Sequence, residues 1–301
     1  MSTIAAIADA VVAHINAGTF SQPVSAVRMG APRAWRRLAA HSERLGAEWV
    51  KRGLTGGGWA HPRAGLYRML VPLEPWRFYE LARVADEPFA GDCLDVSSPK
   101  LLASTLAREG HGRWVAVDLF ADEIDRWRHI DPDLDLRVED ARALSFADES
   151  FDAVACVSVI EHIAGDGDAR AMAEMWRVLR PGGVLHLTTN VAARDTDVWV
   201  GRRIWGEASE SVGDRVFFER RYSVAGLGRR LLGLPWAEEH REYVREARPV
   251  HERFFSARPW SFAAGPLLPL VCTRNFVRID DPGELAEGRH AAVYLRLRKP
   301  R

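Results

Sequence analysis

The chain contains 301 residues and carries 41 basic and 41 acidic side chains, so its formal net charge is zero when the ten histidines are neutral. Hydrophobic residues make up 47% and charged residues 27% of the chain, which is typical of a globular protein and excludes an intrinsically disordered one. Zero net charge argues against a protein that wraps nucleic acid electrostatically, and three scattered cysteines without CxxC or Cys/His spacing indicate a reducing compartment and no metal site.

Residues 1–90 are predicted to be a mostly helical extension that supplies substrate, lid or dimer contacts. Residues 4–17 are apolar but lack a basic leader, which indicates a helix rather than a signal peptide. Residues 34–51 place four large apolar side chains at helical spacing, a glycine-rich loop follows at 55–58, and residues 72–90 form a further predicted helix. No uncharged stretch reaches the roughly 20 residues that span a bilayer, so we expect no membrane contact and a cytoplasmic location.

From residue 91 the pattern changes to alternating strands and helices. Strands are predicted at residues 93–96, 114–117, 134–138, 151–157 and 184–188, and helices at 99–109, 122–130 and 168–180, the last ended by Pro181-Gly182-Gly183. The segment FDAVACV at 151–157 is a continuous apolar run, typical of a strand that is buried on both faces. Repeated βα units of this length predict an α/β, doubly wound, mostly parallel sheet with helices on both faces.

The last third of the chain completes this main domain, which we assign to residues 91–301. Residues 223–234 are predicted to be helical, and residues 238–244 and 291–297 to be closing strands. Two insertions are expected, an irregular and aromatic-rich one at about 190–222 and a proline-containing one at about 248–289.

Polar residues follow the predicted strands at the edge of the sheet where ligands bind in doubly wound folds. The segments at these strand ends are Asp95 to Pro99, Asp118, Glu139 to Ala141, Ser158 to His162, and Thr189-Asn190. An acid after the second strand is placed to accept hydrogen bonds from a ribose diol. That spacing also fits a nicotinamide dehydrogenase, but the GxGxxG loop of such an enzyme is missing, because no glycine occurs between Cys93 and Glu109.

Four segments together resemble the class I S-adenosylmethionine-dependent methyltransferases, of the type that acts on small molecules. These segments are LDVSSPK, VAVDLF, EDARALSFADESFDAVACVSVIEH and MWRVLRPGGVLHLTT. The resemblance covers residues 91–190 closely and extends loosely to residue 298. It implies a Rossmann-like fold with a seven-stranded sheet, S-adenosylmethionine as the cofactor, and methyl transfer as the activity.

The resemblance also implies which residues hold the cofactor. The loop after the first strand binds the methionine end of the cofactor, Asp118 accepts hydrogen bonds from the ribose hydroxyls, and Asp140 and Ala141 contact the adenine. Residues at the end of the fourth strand line the cofactor. The full set is Asp95, Val96, Ser97, Ser98, Asp118, Leu119, Asp140, Ala141, Val157 and Ser158.

The first loop departs from the family pattern, in which an acid is followed by x-Gly-x-Gly. Ser97 and Pro99 replace the two glycines. Serine adopts a positive φ less readily than glycine, and proline removes a backbone donor. Ser98-Pro99 nevertheless resembles an N-cap followed by an N1 residue, so we expect a helix N-terminus that favours the cofactor carboxylate. The rival interpretation is a degenerate relative that does not catalyse.

His162 is the candidate general base, because it follows the fourth strand and a hydroxyl acceptor must lose its proton. The alternative is that this histidine only shapes the pocket. Glu161 is a candidate helix cap or arginine ligand, and Asp195 and His186 are weaker candidates for the base. His186 lies inside the fifth strand, which favours a packed core group.

The acceptor is expected to contact the N-terminal helices and the first insertion. Trp199, Arg202, Arg203 and Trp205 are candidates to bind a sugar face or an acidic group, or else form a hydrophobic lid with solvated arginines. Arginine supplies 38 of the 41 basic residues, an excess that we attribute to a GC-rich coding bias typical of bacteria. The pairs at residues 220–221 and 229–230 are accordingly expected on solvated helix surface.

The leading hypothesis is therefore methyl transfer from S-adenosylmethionine to a small-molecule acceptor, such as a hydroxyl of a sugar or secondary metabolite. The alternatives are a non-catalytic binding protein of the same fold and a nucleic-acid methyltransferase. The last is disfavoured, because Ser158-Val159-Ile160-Glu161 stands where the Asn/Asp-Pro-Pro-Tyr motif of amino-methylating DNA enzymes would be.

Overall fold

The computed structural model of the chain describes residues 27–55, 62–201, 211–256, 263–286 and 288–301. The chain divides into two compact units, Met1–Asp86 with Val244–Asp280, and Glu87–Tyr243 with Asp281–Arg301. The predicted helix at 4–17 and the glycines at 56–58 lie outside the described residues. None of the helices in the described ranges combines the length and the hydropathy that a bilayer span requires.

Strands, helices and short 3₁₀ turns make up the regular structure of the described ranges. The strands there are β1 (Val27–Met29), β2 (Asp92–Val96), β3 (Arg113–Asp118), β4 (Asp135–Val138), β5 (Phe151–Val157), β6 (Leu179–Val191), β7 (Thr196–Val200), β8 (Ser211–Val212), β9 (Arg215–Arg221), β10 (Ala237–Glu246), β11 (Phe276–Ile279) and β12 (Ala291–Arg298). The helices are α1 (Trp35–Thr55), α2 (Pro62–Leu70), α3 (Glu80–Ala85), α4 (Leu101–Arg108), α5 (Ala121–Ile130), α6 (Gly167–Val178), α7 (Val224–Arg230), α8 (Val250–Ser256) and α9 (Leu268–Cys272). The 3₁₀ turns occur at Pro75–Phe78, Ile160–His162, Gly265–Leu267 and Pro282–Glu284.

The first unit contains α1, in which Leu38, Leu45 and Trp49 are buried, as the helical spacing predicts, while Trp35 is half-buried. Helices α1 and α2 pack closely because glycines meet at their contact. A Cβ atom on Gly46 would lie 2.6 Å from the Gly65 carbonyl oxygen, and one on Gly65 would lie 2.8 Å from that of Gly46. The predicted helix at 72–90 is instead a 3₁₀ turn followed by the short α3, because the Tyr79 amide donates to the carbonyl of Trp76, three residues earlier.

The second unit contains most of the central sheet, in the order β10-β12-β6-β5-β2-β3-β4. Strand β2 pairs in parallel with both β3 and β5, β3 with β4, and β5 with β6, whereas β12 runs antiparallel to β6. The Rossmann-like α/β class is thereby confirmed. Strands β1 and β11 bring the sheet to nine strands, so the predicted number of seven was too small.

Strand β6 is longer than the sequence predicted. The helix before it ends at Val178, and Leu179 already has extended backbone angles and pairs with Phe151. A register shift in β5 between Phe151 and Ala153 accommodates the residues that follow. Pro181-Gly182-Gly183 therefore lies within the start of the strand, and does not mark the end of the helix as predicted.

The insertion at 190–221 contains a three-stranded antiparallel sheet with the order β7-β9-β8, where the sequence predicted irregular structure. Trp199 on β7 packs edge-to-face on Phe217 of β9, with ring centroids 5.6 Å apart. Such cross-strand aromatic pairs stabilise a two-stranded ribbon, which explains why an aromatic-rich segment forms strands here.

A buried ion cluster fixes β9 and α7 to the start of α6. Asp168 is fully buried and accepts hydrogen bonds from Arg220 (2.8 Å), Arg230 (2.7 Å) and the Tyr222 hydroxyl (2.9 Å). Burial alone would raise the pKa of Asp168, but these donors and the Ala169 amide outweigh it and lower that pKa. The expectation that both arginine pairs lie on a solvated helix surface was thus wrong for Arg220 and Arg221, which lie on β9 and are largely buried, and for Arg230, whose guanidinium binds Asp168.

Candidate functional site

The candidate site lies at the carboxyl ends of the adjacent parallel strands β2, β3, β4 and β5. Its most unusual group is Asp95 on β2, which is fully buried. Neither carboxylate oxygen of Asp95 meets a donor in hydrogen-bonding geometry. Burial raises the pKa of Asp95 to about 7, although Lys100 and Ser98 lie near enough to lower it in part. An acceptor without a partner at this edge of the sheet is suited to a ligand that brings a donor or a positive charge.

Ser97 and Ser158 both adopt the left-handed backbone conformation, each with a φ of 55°. Ser97 stands where the methyltransferase pattern has its first glycine, and its amide donates to the Val117 carbonyl at 3.0 Å. The serine therefore keeps the backbone path that glycine would take, at a cost of about 1 kcal/mol or more in local strain. Val96, just before it, is fully buried.

Ser98 does not cap the following helix, which corrects the expectation from its sequence. Helix α4 begins at Leu101, with Lys100 as the N-cap residue and no side-chain capping bond. The Ser98 hydroxyl instead accepts the Val157 amide at 2.6 Å. It thus ties the loop after β2 to the end of β5, and the Val157 side chain itself is fully buried.

Asp118, at the end of β3, is paired with a lysine that the sequence analysis did not select. One carboxylate oxygen accepts the Phe120 amide at 3.1 Å, and the other forms an ion pair with Lys100. Both side chains are buried, with 2% of Lys100 and 9% of Asp118 exposed. The signal was present in the sequence as a cation directly after the modified loop. Leu119, beside this pair, is 38% exposed.

Asp140 follows β4 and is held by its neighbour Arg142. The guanidinium of Arg142 bonds both carboxylate oxygens at 2.8–3.1 Å, and its amide donates to one of them at 2.8 Å. The hydrogen bonds from Arg142 lower the pKa of Asp140 despite partial burial, so this carboxylate stays charged. Ala141 next to it is buried, and the exposed third of the Asp140 side chain leaves it reachable from solvent.

Glu161 forms a small network after β5. It is fully buried and accepts the Ser158 hydroxyl at 2.9 Å and the Thr189 hydroxyl at 3.0 Å. Burial raises its pKa. Glu161 therefore joins the ends of β5 and β6 through two hydroxyl groups, and neither caps a helix through its side chain nor binds an arginine as the sequence suggested.

His162 is held in one orientation by the β9 strand. Its Nδ1 lies 2.6 Å from the Phe218 carbonyl oxygen, and its ring packs on the Phe218 ring with centroids 5.2 Å apart. Because a carbonyl oxygen can only accept, Nδ1 carries the proton of the neutral ring. The lone pair is then on Nε2, which is the tautomer that a general base requires.

The weaker candidates have structural partners. Asp195 accepts the Ser223 amide at 2.7 Å and pairs with Arg229 at 2.5 Å. His186 is buried and its Nδ1 lies 2.9 Å from the Tyr294 hydroxyl, as expected of a core group. Trp199 is half-buried on β7, and Arg202, Arg203 and Trp205 lie outside the described residues.

A cavity of about 410 Å³ opens at the opposite, amino-terminal ends of the same strands. Its charged lining residues are already paired with one another, Asp92 with Arg113 at 2.5 Å and Asp135 with Arg137 at 2.8 Å. The cavity therefore lacks the unpartnered acceptor that distinguishes the carboxyl-terminal edge. We place the site at that edge and not in the cavity.

Comparison with known proteins locates the similarity in the same part of the chain. Residues 94–187 match the family described as methyltransferase domain. Two fission yeast proteins, the uncharacterized methyltransferase C25B8.09 and the methyltransferase-like C25B8.10 of Schizosaccharomyces pombe, are 38% and 36% identical over 87 and 86 residues. Each alignment covers 29% of this chain, and it covers 33% of the first relative and 32% of the second. The chain thus matches about a third of the length of these curated relatives.

Among solved structures, an S-adenosylmethionine-dependent methyltransferase from Methanosarcina mazei is 15% identical to this chain. It aligns with a TM-score of 0.45 over 69% of this chain and 92% of its own. A second S-adenosylmethionine-dependent methyltransferase, from Mesorhizobium loti, is 19% identical to this chain. It aligns with a TM-score of 0.42 over 72% of this chain and 94% of its own.

Proposed function

Residues 94–187 belong to the methyltransferase domain family, and from this premise we propose that the protein transfers a methyl group from S-adenosylmethionine to a small-molecule acceptor. The family match confirms the resemblance seen in the sequence and implies the cofactor. The acceptor that we propose is a hydroxyl of a sugar or a secondary metabolite. We propose the cytoplasm of a bacterium as its location, which the three free and buried cysteines support.

One observation carries the proposal: the polar groups that the family uses for its cofactor stand together at one edge of the sheet. Asp95, Asp118, Asp140 and Ser158 lie within two residues of the carboxyl ends of β2, β3, β4 and β5, which are adjacent in the sheet in the order β5-β2-β3-β4. In doubly wound sheets this edge is where nucleotides bind. Along this edge Asp95, Asp118 and Asp140 follow one another in the order methionine end, ribose and adenine that the resemblance implies, and Ser158 lies at the end of the neighbouring strand on the other side of Asp95.

The residues present fit this cofactor. Asp95 is a buried carboxylate that lacks a donor, and the α-ammonium group of the methionine end would supply one. Ser97 and Ser158 keep the left-handed backbone that allows a ligand to approach the loops closely. Asp118 would hold the ribose hydroxyls, and Asp140 with Ala141 would border the adenine. When bound, S-adenosylmethionine supplies a methyl group on a positively charged sulfur. A nucleophile can bond to the methyl carbon as the carbon–sulfur bond breaks and the sulfur leaves as a neutral thioether.

The protein's own part in the reaction is to orient the acceptor and to remove its proton. The Phe218 carbonyl favours the tautomer of His162 in which Nε2 carries the lone pair, and in the proposed reaction this nitrogen takes the proton of an acceptor hydroxyl. Holding the acceptor oxygen in line with the methyl group supplies the remaining rate enhancement through orientation. Trp199 supports a sugar as acceptor, because an indole ring stacks on the apolar face of a sugar. The proposal includes Arg202, Arg203 and Trp205 as further acceptor contacts.

Calorimetry with S-adenosylhomocysteine, the demethylated product, tests the proposal. We expect binding by the wild type and a loss of at least tenfold in affinity for Asp118→Ala. The matched control is Asp133→Ala, which removes an exposed aspartate outside the site and is expected to bind as the wild type does. Absence of binding at millimolar concentration, or equal binding by the two variants, would contradict the proposal.

A non-catalytic binding protein of the same fold is a second candidate, because Lys100 competes for one oxygen of the carboxylate that would bind the ribose. The two candidates differ in turnover. Incubation with methyl-labelled S-adenosylmethionine and a panel of hydroxylated acceptors would give labelled product only if the protein is an enzyme. Binding of the cofactor without transfer to any acceptor would favour the second candidate.

A further inference from the structure

Strand β9 carries one extra residue where it contacts His162. Adjacent residues of β7 pair with Glu219 and with Phe217, so Phe218 has no partner on that strand. This arrangement is a β-bulge, in which the extra residue is left out of the ladder. The carbonyl oxygen of Phe218 is the atom that lies 2.6 Å from Nδ1 of His162.

Arg220, two residues beyond the bulge, joins the ribbon of β7 and β9 to the start of α6. Its Nη1 donates to the Asp168 carboxylate at 2.8 Å and to the Gly165 carbonyl at 3.0 Å. Its Nε donates to Asp197 of β7 at 2.8 Å. The Asp168 side chain is fully buried and that of Arg220 is 10% exposed, so water competes little for the bond between them.

Tyr222, four residues beyond the bulge, contacts both the same carboxylate and the turn that carries the histidine. Its hydroxyl donates to Asp168 at 2.9 Å and lies 3.5 Å from the carbonyl oxygen of Ile160. Ile160 begins the 3₁₀ turn that ends at His162. The strand that contacts the histidine ring and the backbone that carries this ring therefore meet at one buried carboxylate.

We propose that Arg220 and Tyr222 are positioning residues that set the tautomer of His162. They hold the bulged Phe218 carbonyl against Nδ1, so that the neutral ring carries its proton there and Nε2 is the basic nitrogen. The proposal rests on the proposed function, since it takes His162 as the group that removes the acceptor proton. It gives the ion cluster at Asp168 a role beyond stability.

The bulge is the reason that these anchors matter for the ring. The hydrogen bonds of the two ring nitrogens decide the tautomer of a neutral imidazole. A carbonyl oxygen can only accept, so it selects the Nδ1-protonated form while it stays within reach. In a regular strand the ladder would fix this carbonyl, but Phe218 lacks a partner on β7. Its position therefore depends on the anchors at Arg220 and Tyr222, which follow it on the same strand.

Nitrogen-15 NMR of the histidine rings tests the proposal, because protonated and unprotonated ring nitrogens differ in chemical shift. The spectra are recorded at alkaline pH, where imidazole is neutral. The variant His162→Gln identifies the signals of His162 among those of the ten histidines. We expect the wild type to carry the proton on Nδ1. In Arg220→Met and in Tyr222→Phe, part of the population is expected to carry it on Nε2 instead.

Kinetics separate a positioning role from a merely structural one. The value of kcat is expected to fall in proportion to the fraction of His162 that carries its proton on Nδ1, so a fraction of about one half gives about a twofold loss. The Kd for S-adenosylhomocysteine is expected to stay unchanged. The matched control is Arg221→Met, because Arg221 adjoins Arg220 on β9 but has its ion pair with Glu219, at 2.7 Å. This control is expected to keep the wild-type tautomer and kcat.

The outcomes distinguish the inference from the function on which it rests. Wild-type ring spectra for both variants, an equal change in Arg221→Met, or a shifted tautomer at unchanged kcat would each overturn the inference. Should Arg220→Met fail to fold, Tyr222→Phe decides alone, since it removes one hydroxyl and no charge. Absence of S-adenosylhomocysteine binding by the wild type overturns the proposed function, and this failure is separate from any result of the ring spectra.

Discussion

Replacing Asp95 with asparagine is expected to stabilise the fold while it weakens cofactor binding. Asp95 is fully buried without a donor, and its pKa rises from an ordinary 3.8 to about 7. Each pKa unit corresponds to 1.36 kcal/mol, so the ionised carboxylate costs the folded state ~4 kcal/mol. Asparagine has nearly the same shape and no charge, and it avoids this cost.

The sign of the pH dependence follows from which state holds the proton. Between about pH 4 and pH 7 the unfolded chain has lost the Asp95 proton and the folded chain keeps it, so raising the pH favours unfolding. The contribution is unfavourable throughout this window and levels off above pH 7. The stability advantage of Asp95→Asn over the wild type is therefore expected to grow by ~2.5 kcal/mol between pH 5 and pH 8.

Urea denaturation of both proteins at pH 5 and pH 8 measures how their difference in free energy of unfolding changes with pH. The effect of the asparagine amide itself does not depend on pH and therefore cancels when the two differences are compared. Asp133→Asn, an exposed aspartate, serves as the control and is expected to show no growth. In parallel, the variant is expected to bind S-adenosylhomocysteine at least tenfold more weakly. A stability difference that is the same at both pH values would refute the reasoning, because it would mean that Asp95 does not titrate near neutrality.

Three further changes probe the base, the ion cluster and the loop. His162→Ala is expected to slow methyl transfer by about 10²- to 10⁴-fold and leave the Kd for S-adenosylhomocysteine unchanged; an equal loss of binding would assign His162 to the pocket wall. Asp168→Ala leaves two arginines without their buried carboxylate, so it is expected to lower the free energy of unfolding, measured in urea, by ~3–5 kcal/mol. A loss under ~1 kcal/mol would show that the fold does not depend on this ion cluster. Ser97→Gly relieves a positive φ and is expected to raise that free energy by ~1 kcal/mol, and a decrease would contradict the strain.

The alternating core of the second unit was predictable from the sequence because its signals are local. The apolar run at 151–157 is the strand Phe151–Val157, and the helix predicted at 99–109 is Leu101–Arg108. Burial on both faces leaves such a strand no polar positions, and one apolar stripe is enough to define a helix. The aspartates at the strand ends follow from the same pattern, since each lies within two residues of the end of its strand.

The features that the sequence did not predict depend on contacts between distant residues. Strand β6 begins at Leu179 because Leu179 pairs with Phe151. The Pro-Gly-Gly segment carries no sequence signal from which that pairing could be predicted. Arg220 and Arg230 were expected on the surface, but both contact Asp168, more than 50 positions earlier. The role of Lys100, at the start of α4, likewise becomes visible only through its contact with Asp118, at the end of β3.

Three unfavourable features of the second unit lie together at one edge of the sheet, and their proximity is itself an argument for function. Asp95 is a buried carboxylate without a donor, and Ser97 and Ser158 hold a positive φ that serine adopts only under strain. Substitutions that relieve each of them are available, namely asparagine at the first position and glycine at the other two. Such costly features persist where a site needs a charge that the protein itself leaves without a partner, or a close approach of the backbone to a ligand. The edge defined by these three residues, with Asp118 and Lys100 between them, is accordingly where a bound cofactor would supply the missing partners.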